Sequence, residues 1–233
     1  MRFDIIGYSD KGPRQKNEDA WAYNMFDEST LTVCIADGVG GNPCGQVASK
    51  MCVDNFITYS TQYELLKAVK RIDLDIKAHA LEQSECFKMA STLSGCILTE
   101  NHLKGIHVGD TRVSILRGNG IKQLTQDHTE VARFMREGLL TQLQARHYPR
   151  KNILEMAIGS DNALRPYQFK FDLLPGDRIL LTSDGVHTVI SKTLMRDISL
   201  ASDNLDGFSK RIIDRLNISN LKDNVTFVAI EVS

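Results

Sequence analysis

The sequence predicts an α+β fold in which two antiparallel β-sheets pack face to face, with paired helices on the outside. Three observations carry this. Helical periodicity is concentrated in two blocks, residues 45–83 and 191–216. Short apolar and β-branched runs separated by tight turns fill much of the rest. Strands and helices do not alternate one by one, as a parallel βαβ sheet requires.

The elements follow in chain order. Residues 3–9 read as a strand. Residues 31–36 read as a stronger one, β-branched and apolar, ending at Asp37. Residues 45–59 have helical character, with Val47, Met51 and Phe56 as the expected inner face. Residues 63–83 carry Leu65, Leu66, Val69, Ile72, Ile76 and Leu81 at helical spacing, and the two segments make an antiparallel pair. Residues 92–99, 103–108 and 112–116 are short apolar runs broken by turns at Glu100-Asn101-His102 and Gly109-Asp110-Thr111, which is a meander. From 128 to 166 the pattern is less regular, apart from a short helix over 130–137 that Gly138 stops, and this stretch reads as an excursion from the core. Strands return at 167–173 and 178–182, joined by Pro175-Gly176-Asp177. Helices at 191–201 and 205–216 and a closing strand at 224–232 complete the chain.

The chain has 233 residues and a net charge of −1, which suits one domain spanning 1–233 that buries a large core without disulfides. The near-neutral balance argues against a nucleic-acid partner. The start of the chain reaches Asp10-Lys11 with no apolar stretch long enough for a signal peptide or a span, which predicts a cytoplasmic protein with no membrane partner. The five cysteines are odd in number and contain no C-x-x-C pair, so reduced thiols packed as small apolar groups are expected. Cys44, which follows a glycine-rich acidic loop, is the one candidate for redox sensing.

The acidic residues are the informative part. Asp37 ends a strand and begins Asp37-Gly38-Val39-Gly40-Gly41. Asp184 ends another and begins Asp184-Gly185. Asp110 sits in a turn, Asp223 precedes the last strand, and Glu18-Asp19 follows Arg14. Each is an ordinary turn or surface motif when taken alone. Together they place several carboxylates at strand ends, where like charges repel unless cations intervene. A glycine after the aspartate lets backbone approach a ligand closely. Oxygen-only donors favour Mg²⁺ or Mn²⁺ over zinc. The glycine-rich loop lacks the G-x-G-x-x-G spacing and βαβ context of a nucleotide site.

The segment Arg14-Gln15-Lys16-Asn17-Glu18-Asp19-Ala20 resembles the R-x-x-N-E-D motif of the type 2C metal-dependent protein phosphatases. Ala36-Asp37-Gly38-Val39-Gly40-Gly41, Gly109-Asp110-Thr111-Arg112, Leu124-Thr125-Gln126-Asp127-His128, Leu181-Thr182-Ser183-Asp184-Gly185-Val186 and Asp223-Asn224-Val225-Thr226 are similar to its later motifs, in order. The resemblance runs from about residue 5 to 231. It implies a four-layer αββα sandwich and a serine/threonine phosphatase that uses direct attack of a metal-bridging water, with no phosphoenzyme. It implies that Asp37 bridges two Mn²⁺ or Mg²⁺ ions and that Gly38 offers its carbonyl to one. Asp184 and Asp223 complete the other, and Glu18 and Asp19 bind directly or through water. Asp110 resembles the ligand of a third ion shared with Asp184, Arg14 the residue that grips phosphate, and 128–166 a mobile flap that influences substrate choice.

Animal members carry a histidine where this chain has Val39, which leaves His128, His147 or a metal-bound water to protonate the leaving group. Phosphorylated proteins are the implied substrates, a serine/threonine kinase the implied counterpart, and a monomer the expected state. The alternatives are a same-fold regulator dedicated to one partner, a non-catalytic binding module, and an unrelated metal-dependent hydrolase.

Overall fold

The computed structural model describes residues 1–40 and 44–233. Gly41, the last glycine of the loop after Asp37, lies outside them. In chain order the described strands and helices are β1 (Phe3–Asp10), β2 (Asp19–Asp27), β3 (Thr30–Asp37), α1 (Gly45–Tyr59), α2 (Leu65–Glu82), β4 (Leu93–Thr99), β5 (His102–Val108), β6 (Arg112–Arg117), β7 (Gly120–Gln123), α3 (Glu130–Arg136), α4 (Gln142–Arg146), β8 (Tyr167–Asp172), β9 (Arg178–Thr182), α5 (Asp184–His187), α6 (Lys192–Leu200), α7 (Leu205–Asn217) and β10 (Val225–Val232).

The strands form two five-stranded antiparallel sheets, ordered β1-β10-β9-β6-β7 and β2-β3-β4-β5-β8. The central strands are buried on both faces, which explains why they read as continuous apolar runs. In β3, Val33 and Ile35 point between the sheets, where they meet Val113, Ile179 and Val228. Cys34 and Ala36 point the other way, onto Ala48, Val53 and Phe56 of α1 and Ile72 and Ile76 of α2. β10 divides likewise: Val228 and Ile230 face the other sheet, and Phe227 and Ala229 face Phe208 and Ile212 of α7. Three apolar seams therefore separate four layers, as expected. Gly95 in β4 is required by the seam under α1. A Cβ there would lie 2.2 Å from the Phe56 ring, so any side chain would displace it.

The structure corrects several sequence expectations. The buried face of α1 is Ala48, Ser49, Cys52, Val53 and Phe56, while Val47 is 37% exposed. In α2 the inner stripe continues to Ala80. Leu81, one residue and about 100° further round the helix, is 80% exposed. β2 was not expected, because Trp21, Tyr23, Met25 and Phe26 mix with polar residues along an edge strand that pairs only with β3. Residues 128–166 are more regular than expected. Thr129 caps α3, and Thr141 and Gln144 form a capping box on α4. The two helices are fastened by Arg133–Glu155 at 2.8 Å, Arg150–Glu130 at 2.8 Å and a Tyr148–Glu130 hydrogen bond. Asp73 of α2 accepts from the Gly159 amide at 2.8 Å and so ties the end of this excursion to the outer helix layer.

The five thiols do not all remain free. Cys44 and Cys86 are joined by a disulfide, while Cys34, Cys52 and Cys96 are free and buried. The pairing spans 42 residues and left no local mark in the sequence. A 3-10 turn at Ser84–Cys86 brings Cys86 against the start of α1.

A buried polar knot supports the turn that carries Asp110. His107, at zero exposure, bonds through Nδ1 to Ser94 Oγ at 2.8 Å and through Nε2 to the Gly109 carbonyl at 2.9 Å. Its ring stacks on His128, with centroids 5.0 Å apart. Burial, then the neighbouring His128, lower the His107 pKa to about 3. Unfolded His107 takes a proton near pH 6.5, and the folded residue does so only near 3, so acid favours the unfolded chain between those values. His107→Gln should therefore narrow its stability gap to the wild type by about 2 kcal/mol between pH 7 and pH 5, measured by urea unfolding. A gap constant with pH would show that His107 is not held neutral.

Candidate metal centre

One cavity of about 210 Å³ opens where strand ends from both sheets meet. Arg14, Glu18, Asp37, Gly38, Asp110, Asp184 and Asp223 line it, with Val39, Gly40, Thr92, Asn152, Leu154 and Asn224. Every predicted site residue except Asp19 thus reaches the same space. Asp19 lies directly behind it. It is opposite Asp37 in the β2–β3 register and only 8% exposed.

Each carboxylate is held by backbone. Asp37 ends β3, where its amide donates to Thr92 Oγ1 at 2.9 Å. Its carbonyl accepts from the Thr92 amide at 2.8 Å and from Ser91 Oγ at 3.0 Å. Asp184 follows β9 and opens α5. Asp110 sits in the turn after β5, braced by the His107 and His128 contacts to Gly109. Arg112, at the start of β6, grips both oxygens of Asp127, with Nε at 3.1 Å from each and Nη2 at 2.5 Å from Oδ2. This fastens the neighbouring loop.

Asn224 was read only as part of a strand-entry motif, yet all its side-chain capacity serves the site. Its Oδ1 accepts from the Glu18 amide at 2.9 Å, and its Nδ2 donates to the carbonyls of Lys11 and Lys16 at 2.8 and 2.9 Å. It staples the loop carrying Arg14 and Glu18 to the start of β10. Asn152 and Leu154 also line the cavity without any prior signal, because they arrive from the excursion at 128–166.

The electrostatics are those of crowded like charges. Burial, then the charges of Asp19, Asp184, Asp110 and Asp223, push the Asp37 carboxyl well up. Asp110 is raised to about 7 by burial and then by Asp184 and Asp127. Asp184 is raised to about 6 by burial and then by Asp223. Asp19 is raised to about 7, chiefly by burial, although its Oδ2 accepts from Ser183 at 2.8 Å. Asp19 Oδ1 is buried with no partner, an orphaned acceptor that a cation or its bound water would satisfy. Among the described residues the only basic side chain lining the cavity is Arg14, and it is engaged: Nη2 bonds Asp223 Oδ2 at 2.7 Å and Nε bonds the Lys222 carbonyl at 3.1 Å.

Oxygen donors, an orphaned carboxylate oxygen and repelling neighbours all fit hard divalent cations. Among the described residues no three His, Cys, Asp or Glu side chains already close into a cage. They surround the space instead. Gly38 fits the same reading, since a Cβ there would lie 2.4 Å from Gly45 backbone, so only glycine lets the chain run this close. Of the two histidines considered as proton donors, His128 accepts from the Gly109 amide at 3.1 Å and His147 is exposed at the end of α4, and neither lines the cavity.

A second cavity of about 600 Å³ adjoins the first and shares Asp110, Asn152 and Asp184 with it. Arg112, Asp127 and His187 also line it, together with Val131 and Met135 of α3, Arg146 of α4, and Lys151.

Comparison with known proteins agrees with this geometry. The family model for protein phosphatase 2C matches residues 6–224. The protein phosphatase PhpP of Streptococcus pneumoniae serotype 2 (strain D39) is 29% identical over 99% of this chain and 98% of its own length. The crystal structure of the serine/threonine phosphatase Stp1 from Staphylococcus aureus has the same fold, with a TM-score of 0.93 at 24% identity over 100% of this chain and 96% of that one. The catalytic domain of the serine/threonine protein phosphatase PstP, in complex with two manganese ions, superposes with a TM-score of 0.84 at 26% identity over 99% of each chain. On the span of the family match and the ordered aspartates at its strand ends, this chain belongs to the protein phosphatase 2C family.

Proposed function

We propose that the protein is a metal-dependent serine/threonine protein phosphatase that hydrolyses phosphoserine and phosphothreonine using Mn²⁺ or Mg²⁺. The observation that carries this is the cavity itself: among the described residues, five carboxylates face one small space in which the only basic side chain is Arg14. In this reading Asp37 and the Gly38 carbonyl would hold one ion, with Asp37 shared by a second that Asp184 and Asp223 complete. Glu18 and Asp19 would contribute directly or through water, and Asp110 with Asp184 would take a third, weaker ion. Such ions, when bound, lower the pKa of water and neutralise charge on phosphoryl oxygens.

The chain's own residues provide positioning. Ser91 and Thr92 clamp the Asp37 backbone, so its carboxylate projects from a rigid strand end. Arg14 presents a planar fork whose Nε edge is fixed by Lys222, an arrangement suited to two phosphate oxygens that lysine could not copy. Among the described residues no histidine lines this cavity, and in this reading solvent ordered in the site gives the leaving group its proton. The metal aspartates and Arg14 are all present, so a non-catalytic binding module is not favoured.

The excursion at 128–166 acts in this reading as the flap that receives the peptide. The second cavity continues from the reaction site and carries Arg146 and Lys151, neither of which has a carboxylate within salt-bridge distance among the described residues. Phosphopeptides with acidic neighbours fit it best. A cognate serine/threonine kinase, a monomeric state and a cytoplasmic location complete the reading, because phosphorylated substrates arise where ATP is available.

Asp37→Asn and Asp184→Asn should each abolish Mn²⁺-dependent hydrolysis of a phosphothreonine peptide, and full activity in either would overturn the assignment. Without metal, Asp37→Asn should be the more stable protein by about 1 kcal/mol, because the buried Asp37 carboxyl must take up a proton to fold against its neighbours and asparagine need not. The order should reverse in excess Mn²⁺, as read by denaturant midpoints. Asp110→Ala should slow turnover yet still bind two Mn²⁺ per chain by calorimetry, and loss of all binding would place Asp110 at the central pair. Reversing Arg146 and Lys151 to glutamate should raise KM for an acidic phosphopeptide about tenfold and leave p-nitrophenyl phosphate hydrolysis unaffected. Equal effects on both substrates would exclude a peptide-binding role for the second cavity.

A further inference from the structure

The disulfide lies beside the metal centre, not at the periphery. Cys44 caps the N-terminus of α1, and Cys86 ends the 3-10 turn that precedes β4, with their Cα atoms 5.2 Å apart. Both halves lead straight to the residues that hold Asp37. On one side Gly45, next in the chain after Cys44, is wedged into the site. Its backbone is what a Cβ on Gly38 would strike at 2.4 Å, and a Cβ on Gly45 itself would lie 2.9 Å from Glu18 Oε1. On the other side the Cys86 carbonyl accepts from the Met89 amide, the Ala90 carbonyl accepts from the Val39 amide at 2.9 Å, and Ser91 and Thr92 bond the Asp37 carbonyl. The bond thus joins the two chain segments between which Asp37, Gly38 and Val39 are held.

The chemistry of the five cysteines separates them. Cys34, Cys52 and Cys96 are fully buried, and burial raises all three thiols, Cys52 to about 12, so they stay protonated and inert. Cys86 is 5% exposed, whereas Cys44 is partly open to solvent. Cys44 is therefore the sulfur that an external thiol reaches, and its place at a helix N-terminus stabilises the thiolate released when a second thiol resolves the mixed disulfide. Disulfides in an ATP-containing compartment are usually transient or sensing.

We propose that Cys44–Cys86 is a reversible thiol-exchange site that sets the cation affinity of the adjoining centre. In the oxidised protein the bond fixes the start of α1 against Gly38 and Glu18. A low-molecular-weight thiol attacks Cys44 Sγ, the S–S bond breaks, and the Cys86 thiolate leaves and is protonated. A second thiol then releases Cys44 and departs as the mixed reagent's disulfide. Two thiols of reductant are oxidised to one disulfide, and the protein disulfide is reduced to two thiols. Oxidised glutathione drives the reverse. The exchange itself is independent of what the site does, and its effect on cations rests on the proposed phosphatase centre.

The test uses the full chain equilibrated in reduced or oxidised glutathione. Alkylation and peptide mass mapping read the bond, and calorimetry with Mn²⁺ reads the site. A Cys44–Cys86 cross-linked peptide is expected in the oxidised sample alone, with Mn²⁺ bound about fivefold or more weakly after reduction. Cys86→Ser should match the reduced wild type in either buffer. The wild-type comparison needs no variant, so a misfolded Cys86→Ser does not rescue or sink the idea. Absence of the cross-link under oxidation overturns the proposal, as does equal Mn²⁺ affinity in the two states. A cross-link that forms normally in a protein that binds no Mn²⁺ in either state overturns the metal-centre reading, and the coupling with it.

Discussion

Like-charge repulsion among carboxylates is the constraint around which the rest of the molecule is arranged. Asp37, Asp110, Asp184 and Asp223 come from four separate strand ends, and Asp19 stands opposite Asp37 in the register of two paired strands. Acidic side chains directly across a ladder destabilise a sheet. Here three of the five are driven toward protonation near neutral pH, and Asp37 beyond them. A fold that tolerates this must obtain its stability elsewhere. It must also prevent the aspartates from turning away into solvent.

Both requirements are met by the sandwich. Three apolar seams bury the central strands on both faces, so the strand ends are fixed by packing remote from the charges. Away from the site the ionic groups are matched. Buried Asp177 receives both Nε and Nη2 of Arg117 at 2.6 and 2.7 Å, and Arg178 bonds Glu231 at 2.5 Å. Bidentate pairing of this kind satisfies a buried carboxylate. Asp19 contrasts with these: its Oδ1, beside the metal centre, is a buried carboxylate oxygen with no partner. Asn224, Ser91 and Thr92 hold the surrounding backbone in place.

Much of this is legible in the sequence. Asp37, Asp110, Asp184 and Asp223 are each ordinary turn residues alone, and they stand out because all four fall beside strands in one chain. Their order along the chain carried the family resemblance, and the four layers followed from segregated helical and strand blocks. What escaped was long-range or weakly patterned. β2 is an edge strand whose exposed aromatics hide its alternation. Asn224 looks like any turn residue until its three partners, all more than 200 residues away, are seen. The bond between Cys44 and Cys86 depends on how a 3-10 turn meets a helix end, which no spacing rule encodes. The inner face of α1 was displaced because small residues, Ala48 and Ser49, take the contact that larger neighbours suggested.

The position of β10 has a consequence for how the protein is made. Although last in the chain, it lies between β1 and β9, and Asp223 and Asn224 stand at its entrance. On the ribosome the first sheet therefore stays split, and the reaction site lacks one wall, until β10 has emerged. At about 5–20 residues per second the interval between synthesis of Asp37 and of Val232 is about ten to forty seconds. A nascent chain is in that interval an incomplete catalyst, because Asp223 and Asn224 have not yet joined the cavity.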